Sequence, residues 1–381
     1  MIMRDQLTLI KYLNNKFTEM LNEPAGWNRE EIYDSLKQYG IYWKRHPEYP
    51  KLVQFRYDQF ESYPFRHMEI VKECRGIILE EGMYNWTVVC LPFIRFFNLG
   101  EDCAAELDPK TLRVQEKVDG SLLTCFNYEG EWLVCTTNSP NAAGSVMDLP
   151  LTFADLFWQT FDNMGFHRSQ LKDYLVYMFE LTTPLNMVVV SHTESKLTLL
   201  AQRGFHTLIE VTPNDPNLNP VKEYPLNSIQ NVVDACEKLN PLEQEGYVII
   251  DGNDNRVKVK SPKYVALHHL VSEFSVRNCL RLIKLGEASE LFAYYPHYKE
   301  KYETVNRKLD DFIRSLHVDY ILLKTHVQYK YGSNYTQKQL AEIVTKHKYS
   351  GILFTVFSGK HKNVHHAVMS KDVKVLEEYI K

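Results

Sequence analysis

Lys117 stands two residues before an Asp119-Gly120 pair, closing the run Leu112-Arg113-Val114-Gln115-Glu116 and preceding Ser121–Phe126. A lysine amine becomes a nucleophile when neighbouring cations or desolvation leave it neutral near pH 7. On the end of a strand it would be held by a rigid element; a solvated lysine before a turn is the ordinary reading of Lys-x-Asp-Gly. Glu180 ends the apolar run Tyr174–Leu181, and Glu245 opens the apolar run that follows it. Lys258 and Lys260 alternate with valine, so on a strand they share one face. Lysines guarding an edge strand would look the same. Arg75 precedes Gly76, and Arg95 is embedded in Pro92–Gly100, where burial would demand an anionic partner. Together these are the requirements of nucleotidyl transfer. An amine attacks the α-phosphorus of a nucleotide in line with departing pyrophosphate. Cations stabilise the phosphate oxygens, and carboxylates hold Mg²⁺ and ribose hydroxyls.

The elements that must position these groups follow from periodicity. Residues 4–21 read as an amphipathic helix, and Asn28 as the cap of a second running to about Gln38. Leu52–Tyr57, Glu73–Leu79 and Thr87–Leu91 read as strands. The Asp-Gly pair predicts a tight hairpin joining the strand that ends at Lys117 to the one that starts at Ser121, with Glu131–Thr137 as a third strand. Leu149–Met164 and Ser228–Leu239 have helical spacing. Tyr174–Leu181, Met187–Ser191, Leu197–Ala201 and Thr207–Val211 continue a sheet, and 245–250 with 256–261 form a hairpin. From Pro262 the period becomes 3.6, with helices expected at Val265–Leu285, Tyr298–Leu316, Val318–Gln328, Gln337–Lys348 and Lys371–Ile380. The fold class is therefore α+β. Residues 1–262 form a domain of mostly antiparallel sheets with flanking helices, and residues 263–381 form an all-α C-terminal domain.

Bulk composition narrows the class. The 381 residues, 44% hydrophobic and 24% charged, suit a globular protein of two domains. The net charge of −4 excludes a basic coat for nucleic acid, but the charge is uneven. Residues 263–381 carry 19 Lys and Arg against 12 Asp and Glu, or +7, which leaves −11 for residues 1–262. A basic tail suits a polyanion, and a solvated helical surface explains it equally well. The seven cysteines include no C-x-x-C pair, so they read as reduced apolar residues. No run approaches the ~20 apolar residues of a membrane span, and charges occupy the place of a signal peptide's apolar core. The expectation is a cytoplasmic protein, taken as a monomer.

In order and spelling, Glu73-Cys74-Arg75-Gly76, Phe93-Ile94-Arg95-Phe96-Phe97-Asn98-Leu99, Lys117-Val118-Asp119-Gly120-Ser121-Leu122, Phe179-Glu180-Leu181, Glu245-Gly246-Tyr247-Val248 and Lys258-Val259-Lys260-Ser261 resemble the ATP-dependent, phage-type RNA ligase 1 family of covalent nucleotidyltransferases. The resemblance covers roughly residues 70–265 and extends to a helical tail. It implies that Lys117 forms a lysyl-AMP and that Glu180 contacts the ribose of ATP. It implies that Glu245 serves the catalytic Mg²⁺ (or Mn²⁺) through water, with Asp119 helping to orient the metal shell, and that Gly120 keeps the turn tight. Lys258 and Lys260 would bind phosphate oxygens and assist pyrophosphate departure, with Arg75 and Arg95 near the nucleotide phosphates. The implied substrate is RNA with 5′-phosphate and 3′-hydroxyl ends, tRNA being suited to the basic tail. Two departures stand out: Arg95 replaces a lysine, and Thr136-Thr137-Asn138-Ser139 replaces a basic Lys/Arg-Gly-Ser. A DNA ligase, a capping guanylyltransferase and a non-catalytic RNA-binding relative remain alternatives. The first two normally append a β-barrel where this tail reads as helices.

Overall fold

The structure is a computed structural model. It describes residues 7–21, 28–146, 149–185, 189–190, 192–211, 215–269, 275–286, 288–294 and 296–380. The chain divides into two compact units, Met1–His268 and His269–Lys381. The boundary read from sequence lies a few residues earlier, because the helix begun by Pro262 buries Tyr264 and Val265 with the sheets.

Three sheets build the first unit. β1 (Ile41–Arg45), β2 (Leu52–Tyr57), β3 (Arg75–Glu81) and β4 (Trp86–Cys90) form an antiparallel meander. α1 (Thr8–Leu21), α2 (Arg29–Ser35) and α3 (Glu69–Glu73) contribute to its core, where Leu9, Leu13, Ile32 and Tyr33 pack with Val53, Phe55, Ile77 and Leu79. Asn28 caps α2 through the Glu31 amide at 3.0 Å. Glu73, 6% exposed, accepts the Thr8 and Leu9 amides at 2.9 and 2.8 Å, placing a carboxylate at the positive end of α1.

The second sheet contains β7 (Ser121–Tyr128), β8 (Glu131–Thr136), β9 (Leu175–Thr182), β10 (Lys196–Gly204) and β11 (Glu210–Val211), in the order β11-β10-β9-β7-β8. α4 (Phe153–Asn163), started by a Thr152/Asp155 capping box, buries Leu156, Phe157 and Phe161 with Leu123, Tyr177 and Phe179. The third sheet runs β12 (Glu223–Tyr224), β6 (Arg113–Lys117), β13 (Gly246–Ile250), β14 (Arg256–Lys260) and β5 (Phe97–Asn98). α5 (Ile229–Glu237) packs Val232 and Cys236 with Val114, Ile249 and Val259 of this sheet.

The hairpin expected at Asp119-Gly120 does not form. β6 pairs with β12 and β13, whereas β7 pairs with β8 and β9, so residues 118–120 carry the chain from one sheet to another. The turn rule reads local φ/ψ preference; here the apolar strands on either side find better partners far away in sequence. Of the Thr207–Val211 strand only Glu210–Val211 is extended, and Met187–Ser191 lies largely outside the described residues. The 245–261 hairpin forms as expected, but β14 is an interior strand between β13 and β5, not an edge.

The second unit is helical throughout its described residues. α6 (Pro262–His269) ends as it begins, followed by α7 (Val276–Leu285), α8 (Ala288–Tyr294), α9 (Lys299–Tyr331), α10 (Gln337–Val344), α11 (Ser350–Phe357), α12 (Val364–Met369) and α13 (Val373–Tyr379). The two helices expected over 298–328 are one helix of 33 residues, since neither Gly nor Pro interrupts Leu316–Val318. No helix among the described residues is long and apolar enough to cross a membrane.

Candidate active site

Lys117 pairs across the third sheet with Gly246, and Gly246 pairs with Lys260 on its other side. Antiparallel partners project from the same face, so the two lysines stand abreast on β6 and β14 with a bare position between them. The gap is enforced by packing, because a Cβ on Gly246 would lie 2.2 Å from the Val259 carbonyl oxygen. Glu245, one residue earlier and 3% exposed, fills the row from below. Its Oε2 is 2.6 Å from Lys117 Nζ and its Oε1 3.0 Å from Lys260 Nζ. One buried carboxylate therefore bridges two ammonium groups. Such an arrangement is favourable only while both partners are present.

Glu180 reaches the same place from the second sheet, opposite Leu122 on β7. Its carboxyl is raised to about 7, chiefly by burial, with Glu245 and Asp119 adding to the rise and Lys117 and Arg75 opposing it. Those influences place Glu180 amid the charged residues that the sequence singled out. Gly120 makes the approach possible: a Cβ there would meet the Leu181 carbonyl oxygen at 2.4 Å and Glu180 Cγ at 3.2 Å.

Asp119 is held by hydrogen bonds from three segments of the chain. Its Oδ2 accepts the Val189 and Val190 amides at 3.1 and 2.8 Å, its Oδ1 accepts the Tyr264 hydroxyl at 2.9 Å, and its carbonyl oxygen lies 3.0 Å from His192 Nε2. A carboxylate that accepts three protein donors ties the sheet crossing in place. Sequence reading missed Tyr264 because it falls just past Pro262, where the tail was taken to begin.

Arg75 and Lys258 share an aromatic plate. The Arg75 guanidinium lies 5.4 Å and the Lys258 amine 4.9 Å from the Phe96 ring centroid. Arg75 Nη1 is buried with no hydrogen-bond partner. A buried guanidinium nitrogen left unpaired fits a cation kept for an anionic ligand. Gly76 lets β3 pass close to the loop after β8, where a Cβ would be 3.0 Å from Thr137 Cα. Asn138 of that loop is exposed, its amide turned to Thr136 Oγ1 at 3.3 Å.

Arg95 has no carboxylate partner among the described residues. Its guanidinium rests on Tyr57 at 4.4 Å and Phe97 at 5.1 Å, with Nη1 3.5 Å from Ser62 Oγ. Of the two anionic partners expected, a structural carboxylate or a ligand phosphate, the carboxylate is not found among the described residues. Thus Lys117, Glu180, Glu245 and Lys260 converge, Arg75 and Lys258 join them around Phe96, and Arg95 sits on a separate aromatic pair. Among the described residues no three His, Cys, Asp or Glu side chains converge on a metal-sized point.

A family model described as RNA ligase matches residues 73–264, half the chain and the span that holds every one of these groups. The chain belongs to the RNA ligase family. It is 32% identical over 271 residues to a protein of Autographa californica nuclear polyhedrosis virus that carries the name bifunctional polynucleotide kinase/RNA ligase, an alignment covering 65% of this chain and 38% of the viral protein. It is 25% identical over 330 residues to an RNA ligase of Rhodothermus phage RM378, covering 68% of this chain and 73% of the phage protein. Among solved structures, an archaeal ATP-dependent RNA ligase superposes with a TM-score of 0.43 at 14% identity, covering 70% of this chain and 67% of the other. The chain thus spans well under half of the viral relative.

Proposed function

We propose that the chain seals RNA, joining a 5′-phosphate to a 3′-hydroxyl with ATP through a lysyl-AMP on Lys117. The observation that carries this reading is the row Lys117–Gly246–Lys260 with Glu245 beneath it. The Lys117 amine attacks the α-phosphorus, forming the N–P bond as the bond to pyrophosphate breaks. Glu245 Oε2, 2.6 Å from that amine, is the acceptor in place for its proton. Lys258, Lys260 and Arg75 meet the charge that builds on the phosphate oxygens. An oxygen of the RNA 5′-phosphate then displaces Lys117 from the AMP phosphorus. Finally the 3′-hydroxyl attacks the activated 5′-phosphate, and AMP leaves. Glu180 suits a ribose hydroxyl.

Mg²⁺ keeps most of its waters and binds through one or two carboxylates plus substrate phosphates, so Glu245 fits it as a carboxylate reached through water. Bound there, it would neutralise phosphate charge. Asp119 would act on that shell only indirectly, by fixing the crossing that aims Lys117. Arg95, stacked on Tyr57 and Phe97, keeps guanidinium N–H groups with which it would contact phosphate. The basic second unit suits a folded RNA such as tRNA, and the setting we infer is cytoplasmic, with the chain a monomer.

Circularisation of a 5′-phosphorylated single-stranded RNA in the presence of ATP is the test. Efficient sealing of RNA with poor sealing of the matching DNA is the expected outcome. Equal or preferred sealing of DNA would refute the RNA assignment, and transfer of label from GTP instead of ATP would refute the nucleotide.

A further inference from the structure

A second cleft of about 800 Å³ opens in the first unit, walled by the segment Phe93–Phe97, by Leu208–Glu210 and by the loop 252–255. Lys117 and Glu245 are not in its lining, but β14 leads into it. Lys260, Lys258 and Arg256 alternate along β14 and so share one face, spaced about 6.6 Å apart. Lys260 is bridged to Glu245, Lys258 lies over Phe96, and the Arg256 guanidinium lies 4.8 Å from the Phe93 centroid, at the cleft wall. Phe93 and Phe96 meet edge to face at 6.1 Å, continuing an aromatic floor beside the cations.

The cleft is preformed. Asp251, 2% exposed, accepts the Asn253 and Asn255 amides at 2.9 and 3.0 Å and the Asp108 amide at 3.1 Å, which fixes the loop. The Gly252 amide donates to Thr111 Oγ1 at 2.9 Å. Within the lining Arg203 and Arg256 share the Glu210 carboxylate, and Arg203, 6% exposed, keeps a buried Nε with no hydrogen-bond partner. Cations and carboxylates alternate there, with Asp254 beside the pair. A bare polyphosphate would meet Glu210 and Asp254 as well as the arginines. A nucleoside presents donors, acceptors and a π-face together, and suits an aromatic floor with mixed polar walls.

We propose that this cleft holds a nucleoside of the single-stranded RNA whose 5′-phosphate is being activated, one step along the strand from the reacting phosphate. The inference rests on the ligase reading above. The incoming 5′-phosphate attacks from the side that pyrophosphate vacates, where Lys258 and Lys260 act. The β14 cation row then carries the next phosphate toward Arg256. The i, i+2 spacing of that row exceeds the separation of two phosphorus atoms bridged by one oxygen and suits successive phosphates of an extended strand.

Two substitutions at the cleft's solvent side test this without touching the buried arginines: Ala105→Trp, which fills it, and Ile209→Asp, which places a charge on its wall. Both positions are exposed. In the full-length chain, label transfer from α-³²P-ATP to protein should stay within about twofold of the unsubstituted chain. KM for a 5′-phosphorylated single-stranded RNA in the sealing reaction should rise about tenfold or more, a shift of roughly 1.4 kcal/mol. A 4-thiouridine at the second nucleotide should crosslink to the peptide holding residues 203–210 or 252–256. Unchanged KM with crosslinks elsewhere would overturn the proposal, as would a parallel loss of protein labelling in folded variants, which would give the cleft to ATP. If the unsubstituted chain itself took no label, the ligase reading would fail first, and the two failures are thereby distinct.

Discussion

At the scale of single residues, the proposed chemistry depends on one carboxylate holding two lysines. Glu245→Gln removes the charge from a group 3% exposed and leaves Lys117 and Lys260 without their counter-ion. We expect roughly a 100-fold loss in the rate of protein labelling by ATP, the size seen when one preorganised electrostatic partner is removed; a loss under threefold would remove Glu245 from the reaction. Glu180 gives a second handle. Its carboxyl is raised to about 7, chiefly by burial, so the folded state holds the proton more tightly than the unfolded chain does. The stabilisation is present below the ordinary carboxylate range and is lost as pH rises toward and through 7. Glu180→Gln should therefore raise the melting temperature at pH 8 and change it little at pH 4, as melting curves at the two values would show. The shared face of Lys258 and Lys260 was legible in the sequence because strand alternation fixes faces, whereas Lys117, Glu180 and Glu245 were singled out from the ends of apolar runs and from the family resemblance. The hydrogen-bond partners of Asp119 were not legible, since Val189, Val190 and Tyr264 lie 70 or more residues away.

At the scale of elements, the sheet crossing at 118–120 aims Lys117. The sequence contained the strands on both sides but not their partners. An Asp-Gly pair announces a turn, while long-range pairing of β6 with β13 and of β7 with β9 decides which sheet each strand joins. Tyr264→Phe tests the anchor. It removes the donor to Asp119 Oδ1 and should cost about 1–3 kcal/mol in denaturant melts, with slower labelling by ATP. An unchanged labelling rate would show that the crossing holds without it. Gly246→Ala tests the row. A Cβ 2.2 Å from the Val259 carbonyl would force β13 from β14 and separate Lys117 from Lys260. We expect a loss of about 1–3 kcal/mol together with impaired labelling, whereas wild-type behaviour in both would deny that the gap matters.

At the scale of the molecule, the two units differ in kind, and their difference was legible because hydrophobic period changes from 2 to 3.6 near Pro262. The exact division was not, as Pro262 starts a helix that buries Tyr264 with the sheets. The single α9 was split in the sequence reading because Leu316 and Val318 interrupt the apolar period without breaking the backbone. All the converging residues lie in Met1–His268, so a chain ending at His268 should take label from ATP at a rate within about fivefold of the full chain; loss of labelling in a folded truncation would place part of the adenylation site in the second unit. The most direct measurement is peptide mass spectrometry after incubation with ATP and Mg²⁺. The account predicts one adenylate, on the peptide containing Lys117 and on Lys117 itself, and none in the Lys117→Ala variant. An adenylate on Lys258 or Lys260, or one that persists in that variant, would contradict it.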